Sequence, residues 1–204
     1  GAIIIEPEYK KIEPISDKYE NGYIVTDEDN NMGVINRDKT AALEVKYQDI
    51  QPIYGDGNYV VKENDNWKII DSEGNTYLTD KFDSVKSING ENVIINSNKE
   101  YGVMTLSGET KLEKKYQDLE YAFGDNYIFS EKGKYGIINL SGETLVKADY
   151  DSLIYRSDAG FFEGNKSDAL DTDFIGNDFS VKLSGLLSEI DVEAGYMKIR
   201  VDDE

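Results

Sequence analysis

Asp171-Thr172-Asp173-Phe174-Ile175-Gly176 opens like a calcium-binding loop, with carboxylates at its first and third positions and Gly at its sixth. The match then fails, because Ile175 stands where an oxygen ligand belongs and Lys182 where a bidentate Glu belongs. Asp171, Asp173, Asn177 and Asp178 still crowd one short stretch, and they form the candidate cation cluster of the chain. Two polar stretches, Asp27-Glu28-Asp29-Asn30-Asn31 and Glu63-Asn64-Asp65-Asn66, offer carboxylate and amide oxygens of the same kind. Their counterparts further along carry Lys99, Lys132 and Lys134, so cation binding is not a repeated property and a solvated hairpin tip is the simpler reading.

Other chemistry lacks its participants. The chain has no His and no Cys, which removes the commonest general base, the commonest transition-metal ligand and every thiolate site. Ser and Thr hydroxyls therefore have no activating partner, and the glycines fall at turns rather than in a phosphate-binding loop. Paired carboxylates alone can run glycoside hydrolysis, but with 41 acidic residues their pairing in sequence carries no information. The reading is a non-enzymatic protein without a cofactor.

The 41 acidic against 22 basic residues give a net charge of -19, a field that repels nucleic acid and anionic lipid. With 15 Tyr and 7 Phe among 204 residues, the chain is too aromatic for disorder. No apolar run is long enough to span a membrane, so no membrane insertion is expected from these residues. The chain opens on Gly1 without a signal pattern, which suggests a processed or engineered fragment, any leader having been cut away.

The elements that must position any site come from an internal period. An aromatic followed three residues later by an aliphatic recurs as Tyr9/Ile12, Tyr47/Ile50, Phe82/Val85, Tyr116/Leu119 and Tyr150/Leu153, at intervals of 38, 35, 34 and 34 residues. A diverged copy follows at Leu187/Ile190. A second landmark keeps the same beat in Met32-Gly33-Val34-Ile35, Trp67-Lys68-Ile69-Ile70, Tyr101-Gly102-Val103-Met104 and Tyr135-Gly136-Ile137-Ile138. Polar turns follow it, as in Ser107-Gly108-Glu109 and Ser141-Gly142-Glu143.

Each unit divides into four short strands rich in Tyr, Val, Ile and Thr, and no stretch holds helical spacing for three turns. The expected fold is all-β: tandem antiparallel β-meander repeats of about 34 residues, in a propeller-like or open superhelical array. The units run over a partial repeat 1–20, repeats at about 21–55, 56–89, 90–124 and 125–159, a diverged repeat 160–194 and a partial repeat 195–204. Residues 3–9 match a third strand leading into a fourth, and 195–199 match a first strand, so the chain begins and ends mid-unit. It was either cut from a longer array or closes a ring with its two ends, and the missing second strand of a shared unit favours the cut. No aromatic-Gly pair is visible near position 169, which makes 161–190 the irregular copy. Trp67 shares its register with Met32, Tyr101 and Tyr135, so a core layer explains it better than a ligand platform.

A strand, then Trp/Tyr-Gly-aliphatic-aliphatic, a Gly turn and Tyr-x-x-aliphatic resembles the WG (KWG) repeat of bacterial proteins, over residues 3–162 and more weakly over 163–204. The namesake dipeptide is nowhere intact, since Trp67 precedes Lys68. The resemblance implies a bacterial β-repeat protein, often exported or envelope-associated, with no family-wide catalytic residues. The expected function is therefore binding of a protein or glycan through the loops or groove along one side of the array, in an extracellular or cell-envelope setting. The alternative is a structural spacer with no ligand of its own, and a glycoside-processing enzyme stands behind both. Choline-type wall-binding repeats are shorter and Trp-rich, whereas this chain has 1 Trp.

Overall fold

The computed structural model describes residues 9–15, 22–38, 40–52, 58–71, 73–78, 82–167, 171–193 and 196–202. The expected strand at residues 3–9 lies largely outside them. No helix occurs among the described residues, which fall into antiparallel sheets laid down one after another along the chain.

The first sheet runs β1 (Lys11–Pro14), β2 (Tyr23–Thr26), β3 (Met32–Ile35) and β4 (Ala41–Tyr47). The second runs β5 (Asp49–Pro52), β6 (Asn58–Glu63), β7 (Asn66–Asp71) and β8 (Thr76–Leu78). Next come β9 (Ser84–Asn89), β10 (Asn92–Ser97), β11 (Glu100–Thr105) and β12 (Thr110–Tyr116), then β13 (Asp118–Phe123), β14 (Asn126–Glu131), β15 (Lys134–Asn139) and β16 (Thr144–Tyr150). The last has five strands, β17 (Ser152–Arg156), β18 (Phe161–Asn165), β19 (Thr172–Gly176), β20 (Val181–Glu193) and β21 (Tyr196–Asp202).

The sheets are out of phase with the sequence units. The strand after each landmark aromatic pairs forward: β5 pairs with β6, β13 with β14 and β17 with β18. Each sequence unit thus lends its last strand to the following sheet, and the backbone ladder itself ties neighbouring units together. The register repeats too, because Ile12↔Val25, Ile50↔Val61, Val85↔Ile95, Leu119↔Phe129 and Leu153↔Gly164 are the same pairing in five sheets. At the diverged end the backbone keeps this pattern as Ile190↔Ile199, and β20 runs third and fourth strands together without a break.

The chain forms two compact units, residues 1–98 with 104–110 and residues 99–103 with 111–204. In the first, Val34, Leu43 and Tyr47 pack with Ile50, Tyr59, Val61 and Ile70. A second layer there joins Val60, Ile69 and Leu78 to Phe82, Val93, Ile95 and Met104, and Trp67 packs against it, as its register predicts. In the second unit, Ile128, Ile137 and Tyr150 meet Leu153, Phe162 and Ile175. The runs Val93-Ile94-Ile95 and Tyr127-Ile128-Phe129 are buried throughout, because sheets cover both faces of these strands. Each fully buried aliphatic or aromatic side chain contributes about 1.5–3 kcal/mol relative to exposure. One sheet alone leaves a face of its central strand wet, so these layers explain why the fold comes as a stack.

The glycine of the second landmark has a steric cause. A Cβ on Gly33 would lie 2.9 Å from Leu43 O, on Gly102 2.7 Å from Leu112 O and on Gly136 2.5 Å from Val146 O. The third strand crowds onto this position, where its pairing is irregular, with Met32↔Tyr47 followed by Val34↔Leu43 and Tyr135↔Tyr150 followed by Ile137↔Val146. Lys68 takes the position in the second sheet, whose third strand β8 has 3 residues where β4, β12 and β16 have 7.

Polar side chains repeat as well. The residue after each landmark aromatic accepts a backbone N–H from the tip of the next hairpin: Gln48 from Asp65, Asp83 from Asn98, Gln117 from Gly133 and Asp151 from Ser167. Lys10 reaches Asn30 in the same place. Three of these tips are two-residue turns with both residues left-handed, Asn64-Asp65, Asn98-Lys99 and Lys132-Gly133, the geometry that matches strand twist.

Candidate functional site

The acidic stretches that invite a cation already have protein donors. Asp27 accepts from the backbone and side chain of Asn31 at 2.7 and 3.0 Å, which holds its carboxyl below the usual range. Glu63 accepts from Lys68 at 2.5 Å, and Asp65 lies 3.4 Å from Lys62.

Asp171, Asp173, Asn177 and Asp178 are strung along β19 rather than gathered. Asp171 is exposed at its start, Asp173 lies within it, and Asn177 and Asp178 sit exposed in the turn beyond its end. Lys182 Nζ donates to Asp178 at 2.5 Å and Ser180 at 2.8 Å, and these bonds hold the Asp178 carboxyl down to about 2. Among the described residues no group of three or more acidic side chains is arranged to hold a metal ion.

Asp173 has a structural identity that its sequence neighbours conceal. Its pairing with Gly164 matches the pairing of Phe129 with Gly136, so Thr172-Asp173 is the aromatic-Gly landmark of the irregular copy. Here the third strand pairs in plain register, Thr172↔Gly185 and Asp173↔Ser184, and leaves room for a side chain. Tyr150 leans into the space over Gly164, where a Cβ would meet its ring at 2.6 Å, and its hydroxyl donates to Asp173 at 2.8 Å. Ser184 donates to the other carboxylate oxygen, and Lys166 lies 3.8 Å from Asp173 and 4.7 Å from the centre of the Tyr150 ring. Burial, then the Asp173 hydrogen bond and charge, push the Tyr150 hydroxyl well above its ordinary value. The cluster is closed upon itself and holds the irregular sheet in register.

The equivalent Tyr116 behaves differently. It is 6% exposed, and its ring meets Phe129 edge-on at 5.5 Å between centroids. Its hydroxyl has no hydrogen-bond partner among the described residues. Tyr116 lines a concavity of about 460 Å³ with Lys115, Phe129, Glu131, Thr144 and Lys147 among its walls. Lys115 stands on β12 and Lys147 on β16, the outer strands of their sheets, so the concavity opens between two edges. Lys115 Nζ lies 5.4 Å from the Tyr116 ring centre, and neither lysine forms an ion pair among the described residues. In a chain of net charge -19, where Lys68, Lys134, Lys166 and Lys182 all face carboxylates, Lys115 and Lys147 stand exposed and without an ion pair among the described residues beside the Tyr116 hydroxyl. Sequence spacing gives no sign of this site, because Lys115 precedes its landmark Tyr by one residue and Lys147 by three.

Residues 32–67 match the family model described as WG containing repeat, the family that the repeat pattern resembles. No curated protein matches the chain. Among solved structures, Kluyveromyces lactis Hsv2 aligns over 82% of this chain and 61% of its own, with TM-score 0.50 and 11% identity. A second structure of that protein, with complete loop 6CD, covers 81% of this chain and 59% of its own at TM-score 0.51 and 10% identity. BamB from Moraxella catarrhalis covers 91% and 80% at TM-score 0.42 and 8% identity. The chain thus spans about three-fifths of the Hsv2 chains. At such identity the likeness concerns the fold alone, and it is a propeller-like one.

Proposed function

We propose that this chain is a non-enzymatic interaction module of WG-repeat type that recognises a protein or glycan at the bacterial cell envelope. The concavity beside Tyr116 carries this reading, because Lys115, Lys147 and the Tyr116 hydroxyl line it or border it and form no ion pair or hydrogen bond among the described residues. The repeated hairpin-tip acceptors Gln48, Asp83, Gln117 and Asp151, by contrast, have a structural task. Repetition supplies a rigid frame, and variation between copies supplies the place where a ligand is read. The family match at residues 32–67 supports the repeat-based interaction module, and the envelope setting is what the WG resemblance implies.

The immobilised chain, challenged separately with cell-envelope extract and with cell-wall polysaccharide, is expected to retain a saturable binder from one of them. A Lys115→Gln/Lys147→Gln variant that folds normally should retain less. Absence of saturable binding from both sources would overturn the proposal.

A further inference from the structure

We infer that the concavity beside Tyr116 is a saccharide subsite that takes a uronic acid, a sugar ring bearing a carboxylate. The inference rests on the interaction-module reading and names its ligand class. Three features of the site point there together.

Charge comes first. Lys115 and Lys147 approach the concavity from two different sheets, and both lack an ion-pair partner among the described residues. A carboxylate placed between them gains charge-assisted hydrogen bonds that nothing in the protein supplies. The second feature is the Tyr116 hydroxyl, which has no hydrogen-bond partner among the described residues and opens to solvent at the tip of a buried ring packed edge-on against Phe129. The third separates a sugar from an acidic peptide. Glu131 and Thr144 line the same space, and the Glu131 carboxylate, 3.8 Å from Lys132, accepts hydrogen bonds. An acidic side chain meets Glu131 as a like charge. Ring hydroxyls meet it as donors, and the apolar edge of the sugar finds Phe129 and Ile138 in the same wall. About 460 Å³ is of the size that holds a small ligand.

The sign of the whole chain refines the prediction. A net charge of -19 opposes any anion at long range, so the subsite suits a short uronate segment rather than a dense polyanion.

The test is calorimetric titration of the whole chain with trigalacturonate, with its uncharged methyl ester, and with tetraglutamate. Saturable binding of trigalacturonate is expected, weakened about 10-fold or more for the ester and for the Lys115→Gln/Lys147→Gln variant. Tyr116→Phe should weaken it by about 3- to 10-fold. That variant keeps the fold, since Phe82 occupies the same register naturally. Failure of trigalacturonate to bind, equal binding of the ester, indifference to both lysines, or tetraglutamate binding as tightly would each overturn the inference. Retention of an envelope ligand by a chain that ignores trigalacturonate would leave the interaction module standing and remove only the uronate assignment.

Discussion

Gly136→Ala should destabilise the protein although it adds a single methyl group. The Cβ would sit 2.5 Å from Val146 O, 2.8 Å from Ala148 N and 2.8 Å from the carbonyl carbon of Lys147, all backbone atoms of β16. No rotamer change relieves such contacts, so the third strand must shift. Overpacking of this kind costs about 1–3 kcal/mol, and three backbone clashes place it at the upper end. Alanine also restricts the unfolded chain, which returns about 0.4–1 kcal/mol. The net loss is about 2 kcal/mol, or a melting midpoint lower by about 4–8 °C for a chain of this size. Gly142→Ala is the informative control, because Gly142 has φ +83° but nothing within 4 Å of its would-be Cβ. Its cost is conformational alone, about 1 kcal/mol. Thermal melts followed by circular dichroism, with wild type and both variants in one buffer, decide the matter. If Gly136→Ala melts no lower than Gly142→Ala, the close approach of the third strand is not what holds glycine at this landmark.

Asp151 makes stability sensitive to acid. Hydrogen bonds from Lys134 and then from Ser167 hold its carboxyl at about 2, below the ordinary 3.8. A depressed folded value means that its contribution is present above about pH 4 and is lost as pH falls toward 2. The stability gap between wild type and Asp151→Asn, measured by urea unfolding, should therefore shrink between pH 5 and pH 2, and a constant gap would contradict the assignment. Tyr150→Phe removes the donor to Asp173, whose side chain is 18% exposed, and should cost about 1–2 kcal/mol. Tyr116→Phe removes a hydroxyl with no partner and should stay within about 0.5 kcal/mol, so equal losses in the two variants would refute the distinction between these rings.

The period is legible because each landmark residue fills a slot that the sheet stack cannot leave empty. Tyr47, Phe82, Tyr116 and Tyr150 are all buried to the same degree, and the residue after each donates its backbone N–H to the neighbouring strand in the same way. What identity hides, interval reveals: Tyr135 to Thr172 and Tyr150 to Leu187 are both 37 residues, so the two landmarks move together through the irregular copy. Read by type alone, Thr172-Asp173 suggests a cation loop. Read by register, it is a landmark whose glycine became unnecessary once β20 paired without crowding, and its acid serves Tyr150. The concavity escapes even the register, since no spacing rule brings Lys115 to Lys147. Its walls draw residues from β12, β14, β15 and β16, and its character turns on one neighbour. At Tyr150 the array supplies Asp173 and satisfies the hydroxyl from within, whereas at Tyr116 the corresponding residue is Gly136 and the hydroxyl has no partner among the described residues. On the proposed reading, Gly136→Asp should bring a carboxylate toward Tyr116 as Asp173 is brought to Tyr150, and weaken trigalacturonate binding.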